Sequence, residues 1–244
     1  MAAGNFLDGY AYEDKLLSLH EVVELIDSSV AHGKPYSLSR FGHAEISEMA
    51  YDTEPGLAED MEYYRKYNGV TASPDRMQRE LVEAFRLATT AGLLIRSEDR
   101  SGAEYTRKTF ARLGLEFGTI CSAFVTHQMV KLPFFWDWVR QYRIALVGRR
   151  AQEAASVFGR RGVEVTSAAT LPNYDGLPAA YEALAQDDDW QIALISAGVP
   201  ATLLAPRIAR ATSRVAIDFG HALDLLVDGP AFDFEAKVKE LSGE

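Results

Sequence analysis

A histidine and a carboxylate stand two residues apart in the stretch SLSRFGHAEI, directly after an apolar run. On a continuous helix this spacing points side chains to nearly opposite sides, so His43 and Glu45 can share a ligand only from a turn or an extended segment. A histidine at a helix N-terminus is kept neutral by the helix field and retains a nitrogen that can bind a ligand. Such a pair can hold a divalent cation, although Mg²⁺ and Mn²⁺ more often bind oxygen ligands. The alternative is a capping histidine beside a solvated glutamate.

Glycines and charged residues also follow other apolar runs of the chain. In an open α/β sheet, ligands bind beyond the carboxyl ends of the strands, so these residues predict one shared site. Glycine turns and a proline in the first helical turn are typical of a phosphate cradle, and equally of ordinary strand-to-helix connections. The residues in question are Gly148, Arg149 and Arg150, then Gly198, Pro200 and Thr202, and finally Asp218, Gly220 and His221.

The elements that must position these residues alternate along the chain. Helical spacing from Leu16 to Ile26 predicts an opening helix that ends near Gly33, and Tyr36 to Phe41 predicts a strand. Further short, β-branched apolar runs at 92–96, 118–124, 143–148, 163–168, 190–198 and 213–220 alternate with helical segments. This pattern predicts one α/β, Rossmann-like domain, with a mostly parallel sheet of about seven strands and helices on both faces. We expect a helical segment at 1–34, a core at 35–227 and a single domain over 1–244.

Composition limits the partners of the protein. A net charge of −10 over 244 residues argues against nucleic acid or an anionic membrane surface as the main partner, so a polyanionic ligand would need a local basic pocket. The single cysteine, Cys121, excludes an intrachain disulfide and a cysteine-zinc site and fits a cytoplasmic location. We predict no signal peptide and no membrane span, since no apolar run approaches about 18 residues. A homo-oligomer is compatible with the sequence.

Several common motifs are missing or misplaced. No G-x-G-x-x-G follows a predicted strand and no P-loop motif occurs, which argues against a dinucleotide dehydrogenase and a P-loop kinase. Two acidic triplets, 52–54 and 187–189, are interpreted as solvated turns, because neither falls at the carboxyl end of a predicted strand.

The chain resembles the GT-D-fold glycosyltransferases, bacterial enzymes that pass a sugar from a nucleotide diphosphate donor to a glycan or glycoprotein acceptor. The resemblance spans Pro35 to Leu226 and is carried by SLSRFGHAEI, ALISAGVPATLLAPRIA and VAIDFGHALDLL, with IALVGRR and LPNYDGLPAAYEAL between them. It implies a GT-D fold, a donor that is UDP-linked and a site built from these segments. The alternatives are a methyltransferase that binds S-adenosylmethionine, for which Glu98 and Asp99 offer only a loose acidic match, and a non-catalytic nucleotide-binding module.

The resemblance also assigns roles to residues. Glu45 is expected to act as base or metal ligand, and His43 and His221 complete the catalytic set. The expected contacts to the donor nucleotide and its phosphates come from Arg40, Gly42, Arg149, Asn173, Gly198, Thr202 and Asp218, with Arg150 as a further candidate. Tyr63, Tyr64 and Tyr67 are candidates for an acceptor groove, with packing as the alternative.

One position departs from the family pattern. The family has Asp-x-Glu where this chain has His43-Ala44-Glu45. A divalent cation, Mn²⁺ or Mg²⁺, is then bound more weakly by His43 and Glu45, replaced by a softer ion, or absent with His43 contacting phosphate. The sequence leaves these three alternatives open.

Overall fold

The computed structural model describes residues 12–52, 64–233 and Ala236. The strands in this part of the chain are β1 (Leu16–Leu17), β2 (Tyr36–Phe41), β3 (Thr90–Leu93), β4 (Ile120–Ser122), β5 (Ile144–Gly148), β6 (Val165–Ala169), β7 (Ile192–Ser196) and β8 (Val215–Asp218). The α-helices are α1 (Leu19–His32), α2 (His43–Ala50), α3 (Pro74–Leu87), α4 (Arg100–Leu113), α5 (Val125–Val130), α6 (Phe135–Val139), α7 (Ala151–Arg160), α8 (Leu177–Gln186), α9 (Val199–Thr212) and α10 (Ala222–Asp228).

The strands form one sheet in the order β1-β4-β3-β2-β8-β7-β5-β6. Every pairing between neighbours is parallel, which confirms the predicted α/β class and the mostly parallel sheet. The described residues contain eight strands rather than about seven. The predicted bounds of the domain, 1–34, 35–227 and 1–244, stay predictions.

The additional strand lies where the sequence predicted the start of a helix. Leu16 and Leu17 pair with Ile120 and Cys121 at the edge of the sheet. The helix begins only after Ser18, because Ser18 Oγ accepts the N–H of Glu21 while Glu21 Oε2 accepts the N–H of Ser18. This capping box separates the two leucines from α1, although their spacing also fits a helix.

Alternation along the strands builds a hydrophobic core on each face of the sheet. In β7, Ile192 and Leu194 face one cluster whereas Ala193 and Ile195 face the other. Helices α2, α3, α4, α8 and α9 pack on the Ala193 side, and α1, α5, α6, α7 and α10 pack on the Ile192 side. This layering explains why the strands read as continuous apolar runs, since both of their faces are covered.

The side of the sheet on which successive strands are added changes at β2. From β2 the chain continues to β3 and β4 on one side, and it later returns through β7 and β8 on the other side, so that β8 pairs with β2. Ligands in doubly wound sheets bind at the carboxyl ends of the strands beside such a switch point. The order of strands therefore places the expected crevice over the ends of β2 and β8.

Among the described residues, no helix has the length and apolar composition needed to cross a bilayer.

Gly148 allows two strand ends to approach each other at this edge. It has a φ of 150°, and a Cβ atom there would overlap the carbonyl oxygen of Ser196 on β7. Arg149 follows directly, so the direction of its side chain depends on this turn. Gly159 in α7, by contrast, has open space around the position of a Cβ atom.

We expect Gly148→Ala to lower the free energy of unfolding by at least about 2 kcal/mol, because the new methyl group meets backbone at an unfavourable φ. The matched control, Gly159→Ala, should leave stability unchanged or raise it by up to about 1 kcal/mol, because alanine favours a helix interior. Urea unfolding of both variants measures the difference. Equal stability of the two variants would contradict the proposed close approach of β5 and β7.

Candidate active site at the carboxyl ends of the strands

A cavity of about 650 Å³ opens at the carboxyl ends of the strands, over β2 and its neighbours. Of the residues predicted for the site, those that line the cavity are Arg40, Gly42, His43, Glu45, Arg149, Arg150, Gly198, Gly220 and His221. Tyr64 and Tyr67 also line it, whereas Tyr63 lies outside the described residues. The strand-end rule therefore brings most of the predicted residues together.

Arg40 stands at the centre of this site and is held by Asp218 of the neighbouring strand. The Nε and Nη2 atoms of Arg40 lie 3.3 and 3.2 Å from Asp218 Oδ1, and Nε also donates to the Asp218 carbonyl oxygen at 3.0 Å. The backbone N–H of Arg40 donates to Asp218 Oδ2 at 3.1 Å, and Nη1 donates to Ala123 O at 3.3 Å. These bonds fix the guanidinium plane before any ligand arrives.

Gly220 makes room for that guanidinium. Its φ is 51°, and a Cβ atom at this position would overlap Nη2 of Arg40. The glycine in the sequence Asp-Phe-Gly-His is thus required by a packed side chain as well as by a turn.

Glu45 lies under the cavity, beside Asp218. Its Oε2 accepts the N–H of Gly42 at 3.0 Å, and its Oε1 lies 3.4 Å from Thr202 Oγ1, which is also 3.0 Å from Asp218 Oδ2. Burial, and then the charge of Asp218, raise the pKa of Glu45 to about 7. A protonated Glu45 can donate to Thr202, whose hydroxyl then donates onward to Asp218.

His43 bonds to a residue other than Glu45. Its Nε2 lies 2.6 Å from Asp99 Oδ2, and 59% of its side chain is exposed, so the imidazole is held at the edge of the cavity. Asp99 in turn caps α4, since its Oδ1 accepts the N–H of Gly102 at 3.0 Å. The pKa of Asp99 is lowered by the hydrogen bond from Gly102 and by His43, so the acid stays ionised beside the ring.

These contacts test whether His43 and Glu45 suit a metal ion. Both oxygens of Glu45 and the Nε2 of His43 already have protein partners. Among the described residues, no group of three His, Cys, Asp or Glu side chains converges in a way that could hold a metal ion. The arrangement therefore does not fit a cation held by this pair, and dependence on Mn²⁺ or Mg²⁺ stays a prediction from the sequence.

On the β5 and β8 side, Arg149 lies over an aromatic pair. Its guanidinium carbon is 5.2 Å from the centre of the Tyr67 ring, and that ring stacks on His221 at 5.3 Å with an interplanar angle of 22°. The Tyr67 hydroxyl lies 2.9 Å from His221 Nδ1. Burial lowers the pKa of Arg149, yet an arginine remains charged at neutral pH.

The two adjacent arginines differ in their partners. Arg150 bonds to Asp228 at 2.7 Å, to Asp224 at 3.1 Å and to Glu153 at 2.8 Å. Within the described ranges, Arg149 makes neither an ion pair nor a hydrogen bond through its guanidinium. Arg149 is thus the arginine of the pair that retains its donors for a ligand, whereas the charge of Arg150 is already neutralised.

Three predicted ligand residues lie away from the cavity wall. Thr202 and Asp218 are buried and bond to each other and to Arg40, so they support the site rather than line it. Asn173 caps a short 3-10 turn, Tyr174–Gly176, by accepting the N–H of Asp175 at 3.1 Å. At the start of α9, where the phosphate cradle was expected, the N–H of Val199 already donates to Asn68 O at 3.0 Å.

The described acids of the two triplets interpreted as solvated turns are exposed, at 42% for Asp52 and 95% for Asp188, and both also contact arginines. Asp188 Oδ1 bonds to Arg214 at 3.0 Å, and the Asp52 carboxylate bonds to Arg112 at 3.0 Å. Thr53 and Glu54 lie outside the described residues.

The sequence interpretation missed residues that follow β3 and β4. Leu94, Phe124 and His127 line the cavity, and Asp99 positions His43. Burial, followed by the charge of Arg40, lowers the pKa of His127 to about 3, so its imidazole is neutral. The sequence placed Phe124 inside a predicted strand at 118–124, whereas the observed strand β4 ends at Ser122. Applied to the observed end of β4, the strand-end rule finds both Phe124 and His127.

The fold defines an α/β protein with a doubly wound, parallel sheet and a cavity at its switch point. The profile of the GT-D fold-like domain matches residues 17–226, and the chain belongs to that family. No curated protein matches the chain.

Solved structures of the domain of unknown function 1792 share this fold. A selenomethionine-substituted structure of that domain has a TM-score of 0.57 and 14% sequence identity, over 93% of this chain and 86% of that chain. A second structure, described as a distinct glycosyltransferase fold, has a TM-score of 0.54 and 15% identity, over 93% and 86% of the two chains. A glycosyltransferase from Streptococcus sanguinis has a TM-score of 0.55 and 13% identity, over 89% and 86%. At these identities the likeness concerns the fold.

The environment of Glu45 predicts an unusual dependence of stability on pH. Its carboxyl pKa rises on folding from 4.5 to about 7, so the folded state binds the proton more tightly than the unfolded state. The stability from this group is full below pH 4.5 and is lost as the pH rises to about 7. The free energy of unfolding of the wild type relative to Glu45→Gln should therefore fall by up to about 3 kcal/mol over that interval.

Chemical denaturation of both proteins at a series of pH values measures this difference. The glutamine does not titrate, so other groups cancel in the comparison. A difference that stays constant from pH 4.5 to 7 would contradict the buried, proton-binding state of Glu45.

Proposed function

We propose that this protein transfers a sugar from a nucleotide diphosphate sugar, UDP-linked by analogy with the family, to a hydroxyl group of a glycan or glycoprotein. The observation that supports this function best is Arg149, a cation without an ion-pair partner among the described residues, in a cavity at the switch point of a GT-D-like fold. The predicted cytoplasmic location and homo-oligomer are part of the same hypothesis.

In this proposal Arg149 binds the diphosphate of the donor. A desolvated guanidinium without an acid beside it is unfavourable in the free protein, and an anion removes that penalty. Arginine also forms paired hydrogen bonds to phosphate oxygens. The acid nearest to it electrostatically, Asp224, bonds to Arg150 and His221 instead. Arg149 can therefore stabilise the charge that grows on the departing diphosphate.

Arg40 contributes in another way, because Asp218 balances its charge. The described contacts use its Nε–H and one N–H on each terminal nitrogen, out of the five N–H groups of a guanidinium. The remaining donors can orient a sugar hydroxyl or a phosphate oxygen. The Arg40–Asp218 pair thus serves position, whereas Arg149 supplies positive charge.

The transfer step needs a group that accepts the proton of the acceptor hydroxyl. In our scheme that oxygen bonds to the anomeric carbon, the bond from this carbon to the diphosphate oxygen breaks, and the nucleoside diphosphate leaves with the electron pair. His43 takes the proton, since it is exposed at the edge of the cavity and oriented by Asp99. Glu45, buried below with both oxygens engaged, supports the start of α2.

Replacement of Arg149 tests the donor site. We expect Arg149→Ala to weaken UDP binding by at least about tenfold and to reduce its dependence on salt, because a charge-assisted bond to phosphate is lost. Arg161→Ala is the matched control, since Arg161 also covers an aromatic ring, Trp136 at 5.2 Å, but lies outside the cavity lining. Titration calorimetry measures both. Equal loss in the two variants, or tighter binding of S-adenosylmethionine than of UDP, would reject the proposed donor.

Replacement of His43 tests the proton acceptor. We expect His43→Ala to lower kcat for sugar transfer by about 10²- to 10⁴-fold, the usual contribution of a general base. His20→Ala provides the control, because His20 forms a comparable exposed pair with Glu24 at 3.1 Å on α1. Steady-state kinetics with UDP-glucose measure the change. Near-normal kcat in His43→Ala, together with an inactive Glu45→Gln, would move the role of base to Glu45.

A further inference from the structure

We propose that the β3 and β4 side of the cavity, formed by Leu94, Ala123, Phe124 and His127, is the acceptor subsite, and that it binds a neutral sugar ring whose apolar face packs on Phe124. This inference rests on the proposed function, because it names the acceptor site of that same reaction. It also moves the acceptor away from the tyrosines that the sequence suggested.

The order of the strands separates the two sides of the cavity. Arg149 follows β5 and His221 follows β8, both on one side of β2, whereas β3 and β4 lie on its other side. Arg40 and His43 extend from β2 and the start of α2, between these two sides. In this proposal a diphosphate on Arg149 directs the anomeric carbon toward β2, which leaves the side of β3 and β4 open to the attacking hydroxyl.

Charge distinguishes the sides in the same way. Arg149 and Arg150 line the β5 side. The four residues assigned to the β3 and β4 side, Leu94, Ala123, Phe124 and His127, include neither lysine nor arginine. His127 is uncharged at neutral pH, because burial lowers its pKa to about 3. This side therefore suits a neutral ligand rather than an anion.

The chemistry of the surface fits a sugar ring. Phe124 is half-buried and faces the cavity, and the imidazole of His127 meets its ring at 5.9 Å and 69°. An aromatic ring packs against the C–H face of a pyranose, and a neutral imidazole donates to or accepts from a hydroxyl. Leu94 and Ala123 complete an apolar floor next to His43.

The turn that carries Phe124 is held in place by neighbouring side chains. The N–H of Phe124 donates to Ser122 Oγ at 3.0 Å, and Ser122 bonds to Glu98. Glu98 Oε1 also accepts from Gln128 Nε2 at 2.9 Å. The surface is thus ordered before binding, which lowers the entropy cost of capturing a small sugar.

Tyr67 belongs to the opposite side of the cavity. It stacks on His221 and lies beneath Arg149, so it is part of the proposed donor side rather than of the acceptor side. Tyr67 and Phe124 are the aromatic residues that we assign to the two subsites.

Binding of methyl glycosides in the presence of saturating UDP tests the inference. The probes are the methyl β-glycosides of glucose, galactose and N-acetylglucosamine, followed by saturation-transfer NMR, with UDP binding measured in the same samples. We expect at least one glycoside to bind the wild type, and Phe124→Ala to weaken it by about fivefold or more. Phe124→Leu, which keeps apolar volume, should give an intermediate affinity and guards against loss of fold.

Phe134→Ala is the matched control, because Phe134 is 47% exposed and lies outside the cavity lining. It should bind UDP and the glycoside as the wild type does. Unchanged glycoside affinity in Phe124→Ala, or equal losses of UDP and glycoside affinity, would overturn the separate subsite. Wild type that binds UDP but no glycoside would also overturn it and leave the donor site standing, whereas failure to bind UDP would remove the proposed function itself.

Discussion

The bond between Arg40 on β2 and Asp218 on β8 is the contact on which the site depends. It joins β2 and β8 at the switch point, where the order in which strands are added to the parallel sheet reverses. The contact uses both the side chain and the backbone N–H of Arg40. Gly220 exists as glycine because this guanidinium fills the space beside it. Breaking such a buried pair from one side leaves an uncompensated charge, so the crevice and the sheet are stabilised together.

The arginines of the site differ in whether acidic partners balance their charge, which matters in a chain with a net charge of −10. Two of the arginines that line the cavity, Arg40 and Arg150, have acidic partners. Because the opposite charges of each pair cancel, these pairs add little to the electrostatic field at long range. Arg149 differs, since its contact is the face of Tyr67. A single uncompensated cation in a recessed cavity can attract a diphosphate even when the net charge of the protein is −10. This explains how an anionic ligand and an acidic protein are compatible.

The sequence predicts the layers well and the partners of individual side chains less well. β2 was predicted with its observed bounds, because a buried apolar run stands between Lys34-Pro35 and Gly42. β1 has only two residues, too short for any periodicity to distinguish it from the helix that follows. The strand-end rule located His43 and Arg149 from local sequence alone, and the family resemblance added Arg40. The pairing of His43 with Asp99 spans 56 residues, and no local pattern encodes it.

Local sequence does not encode which side chains pair across the sheet. For this reason some residues predicted to line the site lie beneath it. A residue at the end of a strand can point into the crevice or toward its neighbour, and only the order of strands decides which, as it does for Asp218 beside Arg40. Phe124 was overlooked because the apolar run 118–124 places it inside a strand, where an aromatic side chain is expected in the core, whereas β4 ends at Ser122.

A crystal structure of the protein with UDP would show where the diphosphate binds, and the proposed donor site rests on that position. We expect phosphate oxygens within hydrogen-bond distance of the Arg149 guanidinium, over the ends of β5 and β8. A diphosphate bound away from this cavity, or on Arg150 with Arg149 still facing only Tyr67, would contradict this expectation.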